Sequence, residues 1–286
     1  MESDKQYRAE KTGEVGGLSR VYAITVEDGH VFCRPDQVKA EIIDLVNIIK
    51  DFYSALGLWG NHWVSLSVRD YDHPEKYIGT TEDWDLCEKM LQEVSDELGL
   101  NAKRCEGEAA LYGPKLDFMF RDAIGKEVQI PTVQVDFATP KRFNLTYVNE
   151  KGQEMNPVMI HRAVLGSYER FLALLIEHYA GAFPVWLSPV QIKLVAVSEK
   201  HIEFVQKLAD EFRGEDIRVE LDISDETVGN KIRKAVAEKG PYMLVIGDKE
   251  AGSDKLCVRD RGSKDTREIS KEEFIREIKE KIKSKI

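Results

Sequence analysis

The sequence predicts an α+β domain with a mainly antiparallel sheet, followed by a small α/β domain. The chain has 286 residues and is 42% hydrophobic, so it is long and apolar enough for two cores. Strand-like runs are interleaved with two long helical patterns before residue 184, whereas strands and helices alternate regularly after residue 189. We therefore predict domains at residues 1–184 and 185–286, with the helix-ending run from Gly181 to Pro184 at their boundary.

The first domain contains two helices that are indicated by apolar residues at helical spacing. One begins at Pro35 and ends near Gly57, and the other is capped by Thr80 or Thr81 and ends at Gly99. Alternating or β-rich runs predict strands at residues 18–24, 31–33, 63–68, 115–122, 127–137, 143–148 and 157–164, and a third helix follows at 168–180.

The second domain is predicted to be a small parallel sheet covered by helices. The pattern gives strands at residues 191–197, 217–223 and 242–246 and helices at 199–212 and 227–238. A further strand at 256–259 precedes a terminal helix, for which Ser270 and Glu273 form a capping box.

Composition excludes several classes of protein. The formal net charge of -10 argues against non-specific coating of nucleic acid, because phosphate binding needs clustered Lys and Arg. No run approaches the ~20 apolar residues of a membrane helix, and no apolar signal segment is present. The four cysteines lack the paired short spacings of zinc ribbons and redox pairs. We therefore predict a soluble cytoplasmic protein.

The N-terminal region combines two arginines and a carboxylate around a glycine-rich loop. Arg8 and Glu10 precede the loop, and Arg20 follows it on a strand. Guanidinium groups can bind a polyphosphate while the carboxylate accepts a hydrogen bond from an amino group. A solvated hairpin with surface charges is the alternative interpretation.

Three more segments carry candidate chemistry. They are residues 27–33 with Asp28 and His30, the turn from Tyr112 to Lys115, and residues 159–171, in which a strand with His161 leads through Ser167 into a helix with Arg170. An arginine in the first turn of a helix that abuts a sheet can reach a nucleotide lying on that sheet. Taken alone, each histidine can equally be an ordinary core residue.

In this order, the four segments resemble motifs 2 and 3 of class II aminoacyl-tRNA synthetases. His30, the turn at 112–115 and residues 161–165 are similar to the threonyl-tRNA synthetases in particular. The resemblance covers essentially the whole chain. It implies activation of threonine by ATP and Mg²⁺, transfer to tRNA(Thr), and a homodimer. The family places motif 1 and a zinc-binding cysteine upstream, so the resemblance implies that both are missing here and that activity and dimerisation of this chain are weakened.

The resemblance also implies roles for individual residues. Arg8 and Lys115 are the catalytic candidates, and threonine would contact Asp28, Tyr112, Gln134 and Ser167. The residues implied in ATP binding are Arg8, Glu10, Arg20, Gln129 and Arg170.

Two further sites follow from the same resemblance. His30 and His161 match two zinc ligands that read the threonine hydroxyl, although two protein ligands alone make an open, weak zinc site. In the second domain, Glu250, Arg259 and Asp225 match positions that read anticodon bases. The alternative for Glu250 and Arg259 is a surface ion pair. For the whole chain, the alternative is a non-catalytic tRNA-binding or regulatory module.

Overall fold

The computed structural model describes residues 2–286 and divides into two compact units, Met1–His178 and Tyr179–Ile286. None of the helices in this described part of the chain is long and apolar enough to cross a membrane. The first unit contains, in chain order, β1 (Glu2–Tyr7), β2 (Ala23–Cys33), α1 (Val38–Ala55), β3 (His62–Val68), α2 (Thr81–Glu97), β4 (Lys103–Glu106), β5 (Lys115–Arg121), β6 (Glu127–Asp136), α3 (Thr139–Arg142), β7 (Tyr147–Val148), β8 (Glu154–Met155), β9 (Val158–Ala163) and α4 (Tyr168–Tyr179).

A seven-stranded sheet organises the first unit, in the order β1-β2-β9-β6-β5-β3-β4. Every pairing in it is antiparallel except that of β3 with β4, which confirms the predicted sheet type. Helix α1 packs against β6 and β9, and α2 packs against β3. The predicted N-terminal cap of α2 is confirmed, since the Thr80 side chain accepts a hydrogen bond from the Asp83 N–H at 3.2 Å.

The two faces of this sheet differ in polarity. Leu116 and Phe118 on β5 are fully buried, and the Phe120 ring stacks on Tyr53 of α1 at 4.5 Å. Alternate residues of the same strand, including Lys115 and Asp117, point to the opposite face because successive side chains of a strand alternate. Helices therefore cover one face, and the other face carries polar side chains.

Two of the predicted strands are wrong in their bounds. For residues 18–24, pairing starts only at Ala23, because the preceding residues form a turn closed by hydrogen bonds between Gly16 and Arg20. For residues 143–148, only Tyr147–Val148 pairs, since the chain leaves α3 through Asn144 with a φ of 51°. The short polar strands β1 and β4 were not predicted.

The second unit is an α/β fold. Its elements are β10 (Ile192–Ala196), α5 (Ile202–Gly214), β11 (Val219–Asp222), α6 (Val228–Ala237), β12 (Tyr242–Ile246), α7 (Asp248–Ala251), β13 (Lys255–Asp260), β14 (Arg267–Ser270) and α8 (Lys271–Ser284). The five strands form one sheet in the order β11-β10-β12-β13-β14. The first three strands in this order are parallel, as predicted, while β13 and β14 pair antiparallel. The core of this unit includes the fully buried rings of Phe212 and Phe274.

Candidate active site

One row of polar residues crosses five neighbouring strands on the open face of the first sheet. His30 is the cross-strand partner of His161, which pairs in turn with Gln134. Gln134 pairs with Lys115, and Lys115 pairs with Ser67. Directly paired residues of an antiparallel sheet project from the same face with Cβ atoms about 5 Å apart. Residues predicted from three separate segments of the sequence thus lie side by side.

Asp117 lies two residues beyond Lys115 and is 3% exposed. Its Oδ2 atom is 2.7 Å from Nζ of Lys115 and accepts a hydrogen bond from Ser67 at 2.9 Å. Its Oδ1 atom accepts hydrogen bonds from Gln129 at 2.6 Å and Thr132 at 2.8 Å. Neither Asp117 nor Thr132 was predicted from the sequence. The signal available was an acidic residue on the polar face of an otherwise apolar strand.

A β-bulge brings Gln129 into this network. The pairing of β5 with β6 shifts register between Asp117 and Met119, so that Met119 pairs with Gln129. The extra residue on β6 changes the face to which Gln129 points, because side-chain direction alternates residue by residue. Gln129 and Thr132 therefore reach the same carboxylate although they are an odd number of positions apart.

Tyr112 lies over the row. Its hydroxyl donates a hydrogen bond to Oε1 of Gln134 at 2.6 Å, and its ring centroid is 5.0 Å from that of His161. Burial and the nearby charges of Asp136 and Asp28 raise the pKa of Tyr112 to about 12, so the hydroxyl stays protonated and remains a donor. The adjacent Gly113 backbone lies so close to β6 that a Cβ atom would be 1.7 Å from the Val135 carbonyl oxygen.

At one end of the row, Asp28, His30 and His161 each offer a ligand atom within 4.8 Å of the others. Nε2 of His161 is 3.0 Å from Oδ2 of Asp136, which is fully buried. Burial alone raises the pKa of Asp136, but hydrogen bonds from His161, Thr139 and Ala138 outweigh it and hold the pKa below its ordinary value. Since an ionised carboxylate only accepts, His161 donates through Nε2, and its Nδ1 is left free to bind a ligand.

The predicted ATP-binding arginines come together near the turn after β1. Arg20 forms an ion pair with Glu10 at 2.8 Å, and this hydrogen-bonded pairing lowers the pKa of Glu10. Arg170 donates to the Gln129 carbonyl oxygen at 3.3 Å. Burial and the nearby positive charges of Arg8 and Arg20 lower the pKa of Arg170. Three cations that repel one another form a site suited to an anion of high charge.

The loop that leads into α4 is anchored from β2. The Glu27 carboxylate, which is 3% exposed, accepts hydrogen bonds from Arg162 and from the Val164 and Leu165 N–H groups at 2.8–3.1 Å. Ser167 donates to Glu169 at 2.9 Å and accepts from the Arg170 N–H at 3.3 Å. These hydrogen bonds of Ser167 stabilise the first turn of α4. Ser167 also forms a β-bridge with Val26. Arg170, in the same turn, lies next to Gln129.

The predicted anticodon residues occupy separate places in the second unit. The Glu250 carboxylate accepts a hydrogen bond from the Gly247 N–H at 3.0 Å, and Arg259 donates to the Ser263 carbonyl oxygen at 2.8 Å. Within residues 2–286, Glu250 and Arg259 form no ion pair with each other, so that alternative was wrong. Asp225 lies in an exposed bend between β11 and α6. Arg259 also lines a small cavity with Lys239 and other basic residues.

Comparison with known proteins decides the family. Residues 1–179 match the profile of the tRNA synthetase class II core domain (G, H, P, S and T), and residues 186–281 match the anticodon binding domain. A crystal structure of the RNA binding domain of threonyl-tRNA synthetase from Cryptosporidium parvum is 34% identical with a TM-score of 0.85, and the match covers 97% of this chain and 69% of that one. The chain belongs to the threonyl-tRNA synthetase family.

Other threonyl-tRNA synthetases agree with this assignment. A structure of ThrRS-1 from Aeropyrum pernix, described as putative, is 29% identical with a TM-score of 0.75, and the match covers 98% of this chain and 68% of that one. The threonine–tRNA ligases of Halalkalibacterium halodurans and Carboxydothermus hydrogenoformans are each 46% identical over 97% and 98% of this chain. The chain spans only 43% of the length of these two relatives.

Proposed function

We propose that this chain carries the chemistry of threonine–tRNA ligation, namely formation of threonyl adenylate from ATP and transfer to tRNA(Thr). The observation that supports this best is the continuity of two subsites. Arg170 contacts the backbone of Gln129, and the Gln129 side chain joins Lys115 at the Asp117 carboxylate. A cationic site for polyphosphate therefore adjoins a polar row with histidines and a tyrosine.

In the first step, Arg8, Arg20 and Arg170 hold the ATP phosphates, and Mg²⁺ accompanies ATP as part of the substrate. Glu10, which is now paired with Arg20, faces this group and is the candidate contact for the adenine amino group. The threonine carboxylate attacks the α-phosphorus in line, and pyrophosphate leaves. Fixed positive charges stabilise the charge that develops on the phosphoryl oxygens, and Lys115 adds one more such charge.

Threonine is recognised at the histidine end of the row. Tyr112 and Gln134 lie beside its amino group, and Asp28 accepts from its hydroxyl. A site that engages the hydroxyl rejects valine far better than an apolar pocket can. His30 and His161 would hold a zinc ion beside Asp28, because one ligand atom from each of the three residues lies within 4.8 Å of the others and the Asp136 carboxylate orients His161. When bound, zinc would supply a Lewis acid that binds the amino and hydroxyl groups.

The second unit is proposed to bind the anticodon loop, with Glu250, Arg259 and Asp225 as base contacts. Single-stranded loops expose base edges that carboxylate, amide and guanidinium groups can read. A cytoplasmic homodimer is the assembly that we propose for the complete enzyme.

Binding of a non-hydrolysable threonyl-adenylate analogue tests the proposal. We expect calorimetric binding by the unmodified chain and a loss of about 10-fold to 100-fold in Arg8→Ala, because the hydrogen bonds from its guanidinium to the group in the α-phosphate position are lost. Arg34→Ala is the matched control, since Arg34 forms an exposed ion pair with Asp36 in the same unit. Absence of analogue binding together with retained tRNA binding would favour a non-catalytic tRNA-binding module.

Zinc titration of the metal-stripped chain tests the histidine end of the row. We expect one zinc per chain, and at least about 100-fold weaker binding in His161→Ala, since even changes to groups that only orient ligands cost up to that factor. His73→Ala serves as the control, because His73 is an exposed residue paired with Glu75. Equal zinc affinity in the two variants contradicts the proposed ligand set.

A further inference from the structure

We propose that Asp117 is a positioning residue for adenylate formation, which aligns Lys115 and Gln129 from within the sheet. This inference rests on the function proposed above. It concerns a side chain for which neither the sequence motifs nor the comparisons give a role.

Both oxygens of the Asp117 carboxylate have hydrogen-bond or ion-pair partners. Each oxygen has two partners, namely Lys115 and Ser67 at Oδ2 and Gln129 and Thr132 at Oδ1, all within 2.9 Å. These partners come from three adjacent strands, β3, β5 and β6. A planar group that is held on both edges fixes the positions of all four side chains at once.

The network continues to the other residues that face the proposed threonine site. Thr132 accepts a hydrogen bond from Gln134 at 3.4 Å, and Gln134 accepts one from Tyr112 at 2.6 Å. Asp117 thus lies at the centre of a chain of contacts that includes Lys115, Gln129, Gln134 and Tyr112. In this arrangement Lys115 uses one of its three N–H groups on Asp117, and the others are left for the phosphoryl oxygens.

Stability of the sheet alone does not require such a carboxylate. Replacing a buried ion pair by apolar residues of similar volume is often neutral or stabilising, and the opposite face of β5 is packed with apolar side chains such as Leu116 and Phe118. The donors that meet Asp117 include two residues with proposed substrate contacts, Lys115 and Gln129. The contacts of the Asp117 carboxylate therefore align Lys115 and Gln129 within the row.

The test is Asp117→Asn, which keeps the shape but loses the charge and one acceptor. We expect the threonyl-adenylate analogue to bind about 10-fold to 100-fold more weakly, because hydrogen bonds from the displaced Lys115 and Gln129 to the analogue are weakened, and loss of one charge-assisted hydrogen bond has effects of that size. We also expect the acetylation rate of Lys115, followed by mass spectrometry without ligand, to rise several-fold. Lys115 is now 15% exposed and held by the ion pair.

Two controls separate alignment from simple loss of stability. Glu88→Gln alters another buried carboxylate of the same unit, 3% exposed, which contacts Arg69, Tyr71 and Arg104. It should lower the melting temperature without changing analogue affinity. Thr132→Val should weaken analogue binding, whereas Thr132→Ser, which keeps the hydroxyl, should restore it. If Asp117→Asn does not fold, the comparison of Thr132→Val with Thr132→Ser tests the positioning role in its place.

The outcomes are distinguishable. If the unmodified chain binds the analogue and the folded Asp117→Asn variant, or Thr132→Val in its place, binds it equally well, the positioning role is overturned and the proposed function stands. If the unmodified chain does not bind the analogue, the proposed function fails, and the role of Asp117 in adenylate formation fails with it. Lys115 acetylation then reports only whether Asp117 fixes the Lys115 amine, which an unchanged rate in Asp117→Asn also overturns.

Discussion

Replacement of Gly113 by alanine is expected to destabilise the first unit by about 3 kcal/mol or more, the upper end of the effects of overpacking. The new Cβ atom would be 1.7 Å from the carbonyl oxygen of Val135 and 2.9 Å from its carbonyl carbon. These are backbone atoms of β6, which is hydrogen-bonded on both sides to β5 and β9, so they cannot turn aside as a side chain would. The turn must instead lift away from the sheet, and it carries Tyr112 with it.

Urea denaturation followed by tryptophan fluorescence measures this effect. Trp59, Trp63 and Trp84 lie in the first unit, so the signal reports mainly on its unfolding. Gly16→Ala is the matched control, because no atom lies within 4 Å of its added Cβ, and it should unfold at nearly the same urea concentration as the unmodified chain. A Gly113→Ala midpoint equal to that of the control would show that the turn can move without cost.

Much of the candidate site could be predicted because its residues come in recognisable local runs. The family resemblance named Lys115, Gln134 and His161, and β-rich runs predicted the strands that carry them. Alternation does not give the register between strands that are far apart in sequence. That His30, His161, Gln134 and Lys115 form one row is a consequence of pairing across β2, β9, β6 and β5, and only the folded chain contains it.

Asp117 and Gln129 illustrate a second limit of prediction from the sequence. In the run from Leu116 to Phe120, a single acidic residue is consistent with an ordinary solvent-facing position of a strand. Strict alternation from Thr132 would place Gln129 on the apolar face, and the bulge reverses this. Pro131, within the same segment, was the available sign of irregular pairing.

The errors in strand bounds have a related cause. Residues 143–148 are rich in β-forming side chains, yet Phe143 is 73% exposed and follows directly on α3. Residues with high β propensity form a strand only where a partner strand and a buried face are available. Conversely, the six residues of β1 are polar and exposed, so no apolar pattern marks them, and their strand exists because β2 offers a free edge for pairing.

Removal of the Glu27 carboxylate in Glu27→Ala is expected to lower the free energy of unfolding of the first unit by about 3–5 kcal/mol, as when one partner of a buried ion pair is deleted. Arg162 and the N–H groups of Val164 and Leu165 would lose their acceptor in a buried setting. Because these residues lead directly into Ser167 and Arg170, analogue affinity should fall further than stability alone explains. Calorimetric binding at a temperature where the variant is folded measures that second effect.

An exposed ion pair gives the contrasting case. Asp36→Asn removes the partner of Arg34 at a position where both side chains are largely in solvent, and water replaces the interaction, so stability and analogue affinity should not change measurably. Both substitutions delete a carboxylate that contacts an arginine, and the comparison contrasts a buried position with an exposed one. If Glu27→Ala unfolds with the midpoint of Asp36→Asn, the loop before α4 is held by its packing, with Tyr53 donating to the Val164 carbonyl oxygen, and Glu27 does not anchor it.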